Sequence, residues 1–440
     1  MSEILDILGR LVEINTVNDP RRGIKPSKEA ALFIRDWLLD SGLEPEIIES
    51  NGYYTVFGSI GSGNPVLLVM AHCDVVPFNR EEWSYEPLKL TVVDGKAYGR
   101  GALDDKSNVA ALLLVLRELS RMKLEGRIFY AFTGDEETGG MHGAAVVAEK
   151  LASQNLTPKY LLNADGYGMK MITRRRKVFN VLVSVPEKKV KVKGSVRKAV
   201  FEAYYPVAQH SHAAYFIAGA DSHPLITASV MLRRTGCLAR KLGGSFVKTN
   251  VVPRSITVEY VEEDASEDCW ADECLTKLLK AIIPLTRVPL RTEKPSEYGV
   301  SITPNMYVHE EGKHTIILDV RAMVTEAKSV EESFKSIINE VLPEAEIEVQ
   351  DPGGGYQYTP ASSLLVKALS KALVEEGEKP ETSEGAGASD SRHFTPLGVE
   401  AVDFGPRGGG VHGVDEYVDV KSLEKLPSIY LRTIRTLLSK

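Results

Sequence analysis

Apolar and polar positions along this chain repeat with two different periods, and each change of period marks a new element. Apolar side chains recur every three to four positions over 3–15 and 27–41, which predicts two amphipathic helices, with Ser27 placed to cap the second. YYTVFGSI (53–60) and PVLLVMAH (65–72) then read as strands. The second is almost wholly apolar, as expected for a strand covered on both faces. Lys106–Met122 predicts a helix, and RIFYAFTG (127–134) and KYLLNADG (159–166) predict two more buried strands with a helix over 141–153 between them. This alternation predicts an α/β sandwich around a mostly parallel sheet.

The pattern changes after about residue 175. FNVLVSV, SITVEYV, HTIILDVRAMV and AEIEVQ read as alternating strands, with helices near 222–235 and 329–341, which together predict an α+β domain. The glycine run DPGGG at 351–355 suits a hinge, because glycine is sterically unrestricted. Helix–strand alternation resumes from 360 and ends in VEAVDFGP and a helix over 421–438. The expected organisation is one α/β domain in two parts, 1–175 and 353–440, interrupted by an inserted α+β domain over 176–352.

Composition narrows the function classes. A chain of 440 residues with 43% hydrophobic and 26% charged residues has ample material for a large core. The net charge of −7 gives no nucleic-acid surface. The single basic run, Arg174-Arg175-Arg176-Lys177, reads as a solvated strand end or linker. The first fifteen residues lack the basic start and continuous apolar run of a signal peptide, and no stretch approaches the roughly 18 apolar residues of a membrane span. Four sparse cysteines without a CxxC spacing fit a reducing, cytoplasmic compartment.

The chemistry lies in five short motifs: HCD (72–74), GRGALDDKS (99–107), TGDEETGG (133–140), NADG (163–166) and VHGVDEY (411–417). In HCD, residues two apart on an extended segment face the same side, so Asp74 can hold the nitrogen of His72 that faces away from a metal. Asp104 has two oxygens with which to bridge two cations, while Asp105 suits a supporting role or the start of the following helix. Three consecutive acids at 135–137 repel one another unless cations compensate, which argues for metal. Of these, Glu137 is a ligand and Glu136 the general base, or the reverse. Asp165 and His412 complete a set of two histidines and several carboxylates, enough for two divalent ions with one glutamate to spare. Taken alone, HCD, NADG and VHGVDEY are weak signals, since a strand-end or loop histidine is usually only that, whereas the acidic run argues for metal more than any other motif. His72, Glu136 and Asp165 all follow apolar strands, and sites in open α/β sheets gather beyond the carboxyl ends of strands.

Other patterns fail. HEEGKH (309–314) sets its histidines five apart, a turn of about 140° on a helix, so they share no face. Both read as surface histidines in a strand–turn–strand segment. No dinucleotide fingerprint, phosphate loop or nucleophile elbow is present.

Taken in order, the five motifs resemble those of the co-catalytic di-zinc deacylases and exopeptidases, metallopeptidase family 20. That family includes acetylornithine deacetylase, succinyl-diaminopimelate desuccinylase, aminoacylase, carnosinase-like dipeptidases and glutamate carboxypeptidases. HCD looks like the family's HxD, GRGALDDKS like GRGxxDxKG, TGDEETGG like its paired glutamates, and SDSRHFTPLGVEAVDFGP with VHGVDEY like its C-terminal signature. The resemblance implies a zinc-exopeptidase-like sandwich with an inserted lid that mediates homodimerisation. It implies that His72 and Asp165 complete one metal site, Glu137 and His412 the other, that Asp104 bridges both, that Glu136 is the base and that Asp74 orients His72. HSHAAY (210–215) looks like the lid segment that presents a histidine to the substrate. His212 matches best, and His210 and His223 less well. Asn250 in TNVVP and Arg321 in LDVRA resemble lid positions that touch substrate, and Arg321 suits a substrate carboxylate unless a neighbouring acid takes it.

The implied activity is hydrolysis of an amide, releasing the acyl group of an N-acyl-amino acid, with a dipeptidase or carboxypeptidase as the alternative. Nitrogen and oxygen ligands suit zinc, with cobalt or manganese as substitutes. Three departures stand out: Ser107 replaces the usual glycine, the insert is longer than a compact lid, and position 165 is aspartate, as in exopeptidase-type members, where biosynthetic deacylases commonly carry glutamate. A binding protein that had lost the chemistry would lack a ligand or the base, and every position is filled.

Overall fold

The computed structural model describes residues 2–209 and 211–438 and divides them into two compact units. The first comprises residues 1–175 and 357–440, and the second 176–356.

Among the described residues, the first unit is built on a nine-stranded sheet. Its central strand, Pro65–His72, pairs in parallel with Gly126–Thr133 on one side and Tyr160–Asn163 on the other, and Tyr160–Asn163 pairs in parallel with Glu400–Asp403. Successive side chains of a strand face opposite ways. Leu67, Val69 and Ala71 accordingly join one core with the helices Glu3–Glu13, Lys28–Asp40, Lys106–Ser120 and Val420–Leu438, and Leu68 and Met70 join a second with Val147 and Leu151 of the helix Ala144–Ser153. Ser27 caps its helix by accepting the Glu29 N–H at 3.2 Å.

The sheet is mixed, which corrects the expectation of a mostly parallel one. Glu46–Ser50, Tyr53–Ser62 and Gln357–Tyr358 pair antiparallel with their neighbours, as do Glu400–Asp403 and Met171–Arg175. Asn51 and Gly52, both at positive φ, close Glu46–Ser50 and Tyr53–Ser62 into a hairpin, which forces opposite directions. An all-apolar strand reports burial of both faces and carries no information on direction.

The second unit holds two antiparallel sheets. One has four strands in the order Ser301–Glu310, Lys313–Ala322, Lys177–Pro186, Glu346–Gln350; the other has Lys189–Glu202, Ser255–Asp272 and Leu238–Gly244. Their shared core takes in the helices Pro224–Thr235, Glu273–Leu285 and Ala327–Val341. Three of these elements, Lys189–Glu202, Leu238–Gly244 and Glu273–Leu285, lie outside the sequence readings. Along Lys189–Glu202 exposed residues largely alternate with partly buried ones and only Gly194 is buried, so its burial signal is weak.

Two readings of charged groups are corrected. In the basic run, Arg175, Arg176 and Lys177 are buried: Arg175 Nε meets Asp403 at 2.5 Å, Arg176 Nη1 donates to Ser301 Oγ at 2.9 Å, and Lys177 Nζ meets Asp351 at 2.7 Å. Strand pairing, invisible in a local run of charges, takes them out of water. His314 is likewise not a surface residue. It is buried, with Nε2 3.0 Å from Asp272 and Nδ1 2.8 Å from the Tyr307 hydroxyl.

His223 yields a stability prediction. It is buried edge-on to Phe216, with Nε2 3.3 Å from Asn305 Oδ1, and burial pushes its pKa down to about 4. A histidine depressed below its ordinary value of 6.5 contributes stability that is whole above about pH 6.5 and is lost as pH falls toward 4. The loss is on the order of 3 kcal/mol. Urea unfolding at pH 7 and pH 4.5 is expected to show this drop in the wild type and a smaller one in His223→Gln. An equal drop in both would remove His223 as its source.

Candidate metal centre

Parallel pairing places the motif residues together. His72 ends its strand opposite Thr133, and Met70 lies opposite Asn163, so the segments carrying Glu136, Glu137 and Asp165 leave the sheet at the same end as His72. A separate four-stranded sheet aligns Tyr417–Asp419 against Lys96–Tyr98, with Tyr417 opposite Tyr98. That register sets the turn carrying Asp104 beside the loop carrying His412.

Two groups of potential ligand atoms result: His72, Asp104 and Asp165, and Asp104, Glu137 and His412, the atoms of each group lying within 4.8 Å of one another. Asp104 belongs to both. Its Oδ1 is 2.9 Å from His72 Nε2, and its Oδ2 is 3.1 Å from His412 Nε2. His412 Nε2 is also 3.1 Å from Glu137 Oε1, a buried oxygen that makes no hydrogen bond among the described residues. Glu136 belongs to neither group.

The electrostatics are those of a cation site. Burial, reinforced by neighbouring acids, raises Asp165 well above the ordinary aspartate value, raises Glu136, and lifts Glu137 to about 7. Burial opposes charge at His412 as well, but Glu137 and Asp104 overcome it and hold the ring up to about 11. Burial likewise works against ionisation of Asp104, yet the His412 and His72 rings keep it below its usual range. Crowded buried carboxylates, an orphaned oxygen and two imidazoles aimed at a shared aspartate are a donor set that fits divalent ions.

Asp74 has a larger role than the sequence suggests. His72 Nδ1 lies 3.1 Å from the Asp74 carbonyl oxygen and 3.4 Å from its carboxylate. The carboxylate accepts the N–H groups of Glu136 and Glu137, both at 3.1 Å, and Asn18 Nδ2 at 2.9 Å. It therefore holds the turn Glu136–Thr138 as well as the histidine. Asp105 accepts the His72 N–H at 3.1 Å and Asn108 Nδ2 at 2.7 Å.

Sequence reasoning missed several supports. Glu416 and Arg100 form a buried ion pair at 2.6 Å. Arg175, Ser389 and Ser391 converge on buried Asp403, and Arg392 and His393 both meet the carbonyl of Gly139, just past the paired glutamates. A glutamate inside VHGVDEY was the one local signal for Glu416.

In the second unit, His212 and Asn250 are brought together: Asn250 Nδ2 is 3.3 Å from His212 Nε2, and the Ala214 N–H donates to His212 Nδ1 at 3.1 Å. Arg321 is buried, with Nε and Nη2 on the two oxygens of Asp319 at 2.8 and 2.9 Å. His223 lies in the buried setting described above, and His210 falls outside the described residues.

Residues 68–436 match the model of "Peptidase family M20/M25/M40". A succinyl-diaminopimelate desuccinylase of Bordetella avium is 25% identical over 100% of this chain and 99% of its own length. Among solved structures, an aminoacylhistidine dipeptidase of Vibrio alginolyticus superposes with a TM-score of 0.72 at 15% identity, covering 100% of this chain and 97% of that one. An M20 family metallo-carboxypeptidase of Sulfolobus solfataricus gives 0.64 at 16% identity, with 99% of each chain covered.

Proposed function

This chain belongs to peptidase family M20/M25/M40 and is a hydrolase of amide or peptide bonds, and from that premise we propose that it removes the acyl group from an N-acyl-amino acid. The observation that carries the reading is Asp104, one carboxylate with an oxygen toward each of two ligand groups, beside a glutamate that belongs to neither. His72, Asp104 and Asp165 would hold one divalent ion, and Asp104, Glu137 and His412 the other, with zinc the preferred metal and cobalt or manganese as substitutes. When bound, such ions polarise the amide carbonyl and acidify water.

The chain's own residues do the rest. Glu136 takes the proton of the attacking water and returns it to the departing amine nitrogen. Asp74 orients His72 and sets the height of Glu136 through the turn that both glutamates share. His212, whose Nδ1 accepts the Ala214 N–H so that Nε2 carries the proton, donates to the developing oxyanion, and Asn250 touches the substrate beside it. Arg321 is paired through Nε and Nη2 with both oxygens of Asp319, which favours the alternative in which a neighbouring acid takes it over a contact with a substrate carboxylate. Residues 176–352 act as the lid and as the interface of a homodimer, whose native mass would be twice the 48.3 kDa chain. A cytoplasmic setting fits four cysteines that are all unpaired; no helix among the described residues is long and apolar enough to cross a membrane.

The full-length similarity to a desuccinylase supports the deacylase reading. Aspartate at 165 and the similarity to a dipeptidase structure favour the second reading, a dipeptidase or carboxypeptidase using the same site. Hydrolysis of a panel of N-acetyl- and N-succinyl-amino acids and dipeptides by zinc- or cobalt-loaded protein separates them. We expect turnover of an acyl-amino acid; cleavage of dipeptides alone would select the second reading.

A further inference from the structure

We infer that Glu416, together with Arg100, is a positioning pair that pre-forms the half of the metal centre containing His412. The inference rests on the two-ion reading above.

The Glu416 carboxylate is fully buried, and both of its oxygens are spent on the turn that ends in Asp104. Oε1 accepts the N–H groups of Leu103 and Asp104, both at 2.9 Å. Oε2 accepts the N–H of Gly101 at 3.0 Å and Arg100 Nη1 at 2.6 Å. The other end of the same guanidinium turns to the second loop, where Arg100 Nη2 donates to the Gly413 carbonyl at 2.8 Å, directly after His412. One buried ion pair thus stitches together the two loops that present Asp104 and His412.

The stitch has a conformation to hold. His412 has φ +58° and Asp415 φ +55°, the left-handed region that is uncommon for residues other than glycine. The loop is kept there by the Gly413 N–H on the Gly410 carbonyl at 2.8 Å, by Ser84 on the Asp415 carboxylate, and by Arg100 on Gly413. Strained backbone of this kind persists only where its surroundings over-determine it. The His72–Asp165 half has a different support, because both residues follow strands tied into the central parallel ladder. Asp104, which the same carboxylate holds, belongs to both groups, so loss of Glu416 is expected to weaken both ions, and the ion that also needs His412 the more, because only that half loses the Arg100 link to Gly413 as well.

Glutamine tests this with little change of shape. Its side chain has one acceptor oxygen and one NH2 donor. Whichever way it is turned, the NH2 faces two of the four donors that Glu416 accepts, and Arg100 loses its counter-charge.

Metal-free full-length protein is titrated with Co(II), following heat and the visible absorption of each equivalent. Wild type is expected to take up two ions. In Glu416→Gln the first ion binds within about 3-fold of wild type, and the second about 10–100-fold more weakly, as for other supports behind a ligand. Excess Co(II) is expected to restore turnover, since Glu416 touches no reacting atom. Arg100→Lys, which keeps the charge but loses the fork that reaches Gly413, is expected to weaken the second ion in the same direction by less, and it decides the matter in the same terms if the glutamine variant does not fold. Unchanged binding, or equal weakening of both ions, overturns the inference while the two-ion reading stands. A wild type that binds fewer than two ions overturns that reading, and this inference with it.

Discussion

Asp104→Ala is expected to empty both halves of the centre at once. The variant should bind less than one ion per chain and hydrolyse no substrate above background, whereas His412→Ala should retain about one. The contrast follows from sharing. Asp104 offers one oxygen 2.9 Å from His72 and the other 3.1 Å from His412, so its removal takes a ligand from each group, while His412 belongs to one group only. Ligands of a catalytic ion are not replaced by water at equal affinity, because the site is assembled by folding and tuned by the groups behind it. Metal content of the purified variants, measured by atomic emission beside wild type, decides it. Two ions retained by Asp104→Ala would leave the bridge without support.

Glu136→Gln is expected to separate chemistry from metal binding. Turnover should fall by about 10²–10⁴-fold, the usual worth of a positioned general base, while both ions stay bound. The glutamine keeps the size of the side chain and the backbone N–H that Asp74 accepts at 3.1 Å, so the turn should stand. Its amide cannot take a proton from water. Loss of an ion in this variant would exchange the roles of Glu136 and Glu137, which the motif by itself leaves open. Normal turnover would exclude Glu136 as the base.

The residues of the two candidate ligand groups stood out in the sequence because each occupies a short motif with unusual chemistry: consecutive acids have no cheap structural explanation, and a histidine closing an all-apolar strand points out of the sheet at its carboxyl end. The helices over 28–40 and 106–120 were legible through their period and, in the first, through the capping serine. The supports were not. Glu416 and Arg100 lie more than three hundred positions apart, and nothing local distinguishes a glutamate that accepts four N–H groups from one that faces water. The same blindness made Arg175–Lys177 look solvated and His314 look superficial, when long-range pairing takes each of them out of water.

Sequence alone determined which side chains are available for the chemistry and many of the segments that form strands and helices, because composition and period act over a few residues. Tertiary structure decided the rest: that the large sheet is mixed, that two distant loops share one buried ion pair, and that a single aspartate faces both histidines. Those outcomes depend on strand direction and register, which bring together groups that are remote along the chain and so leave no mark in any local window.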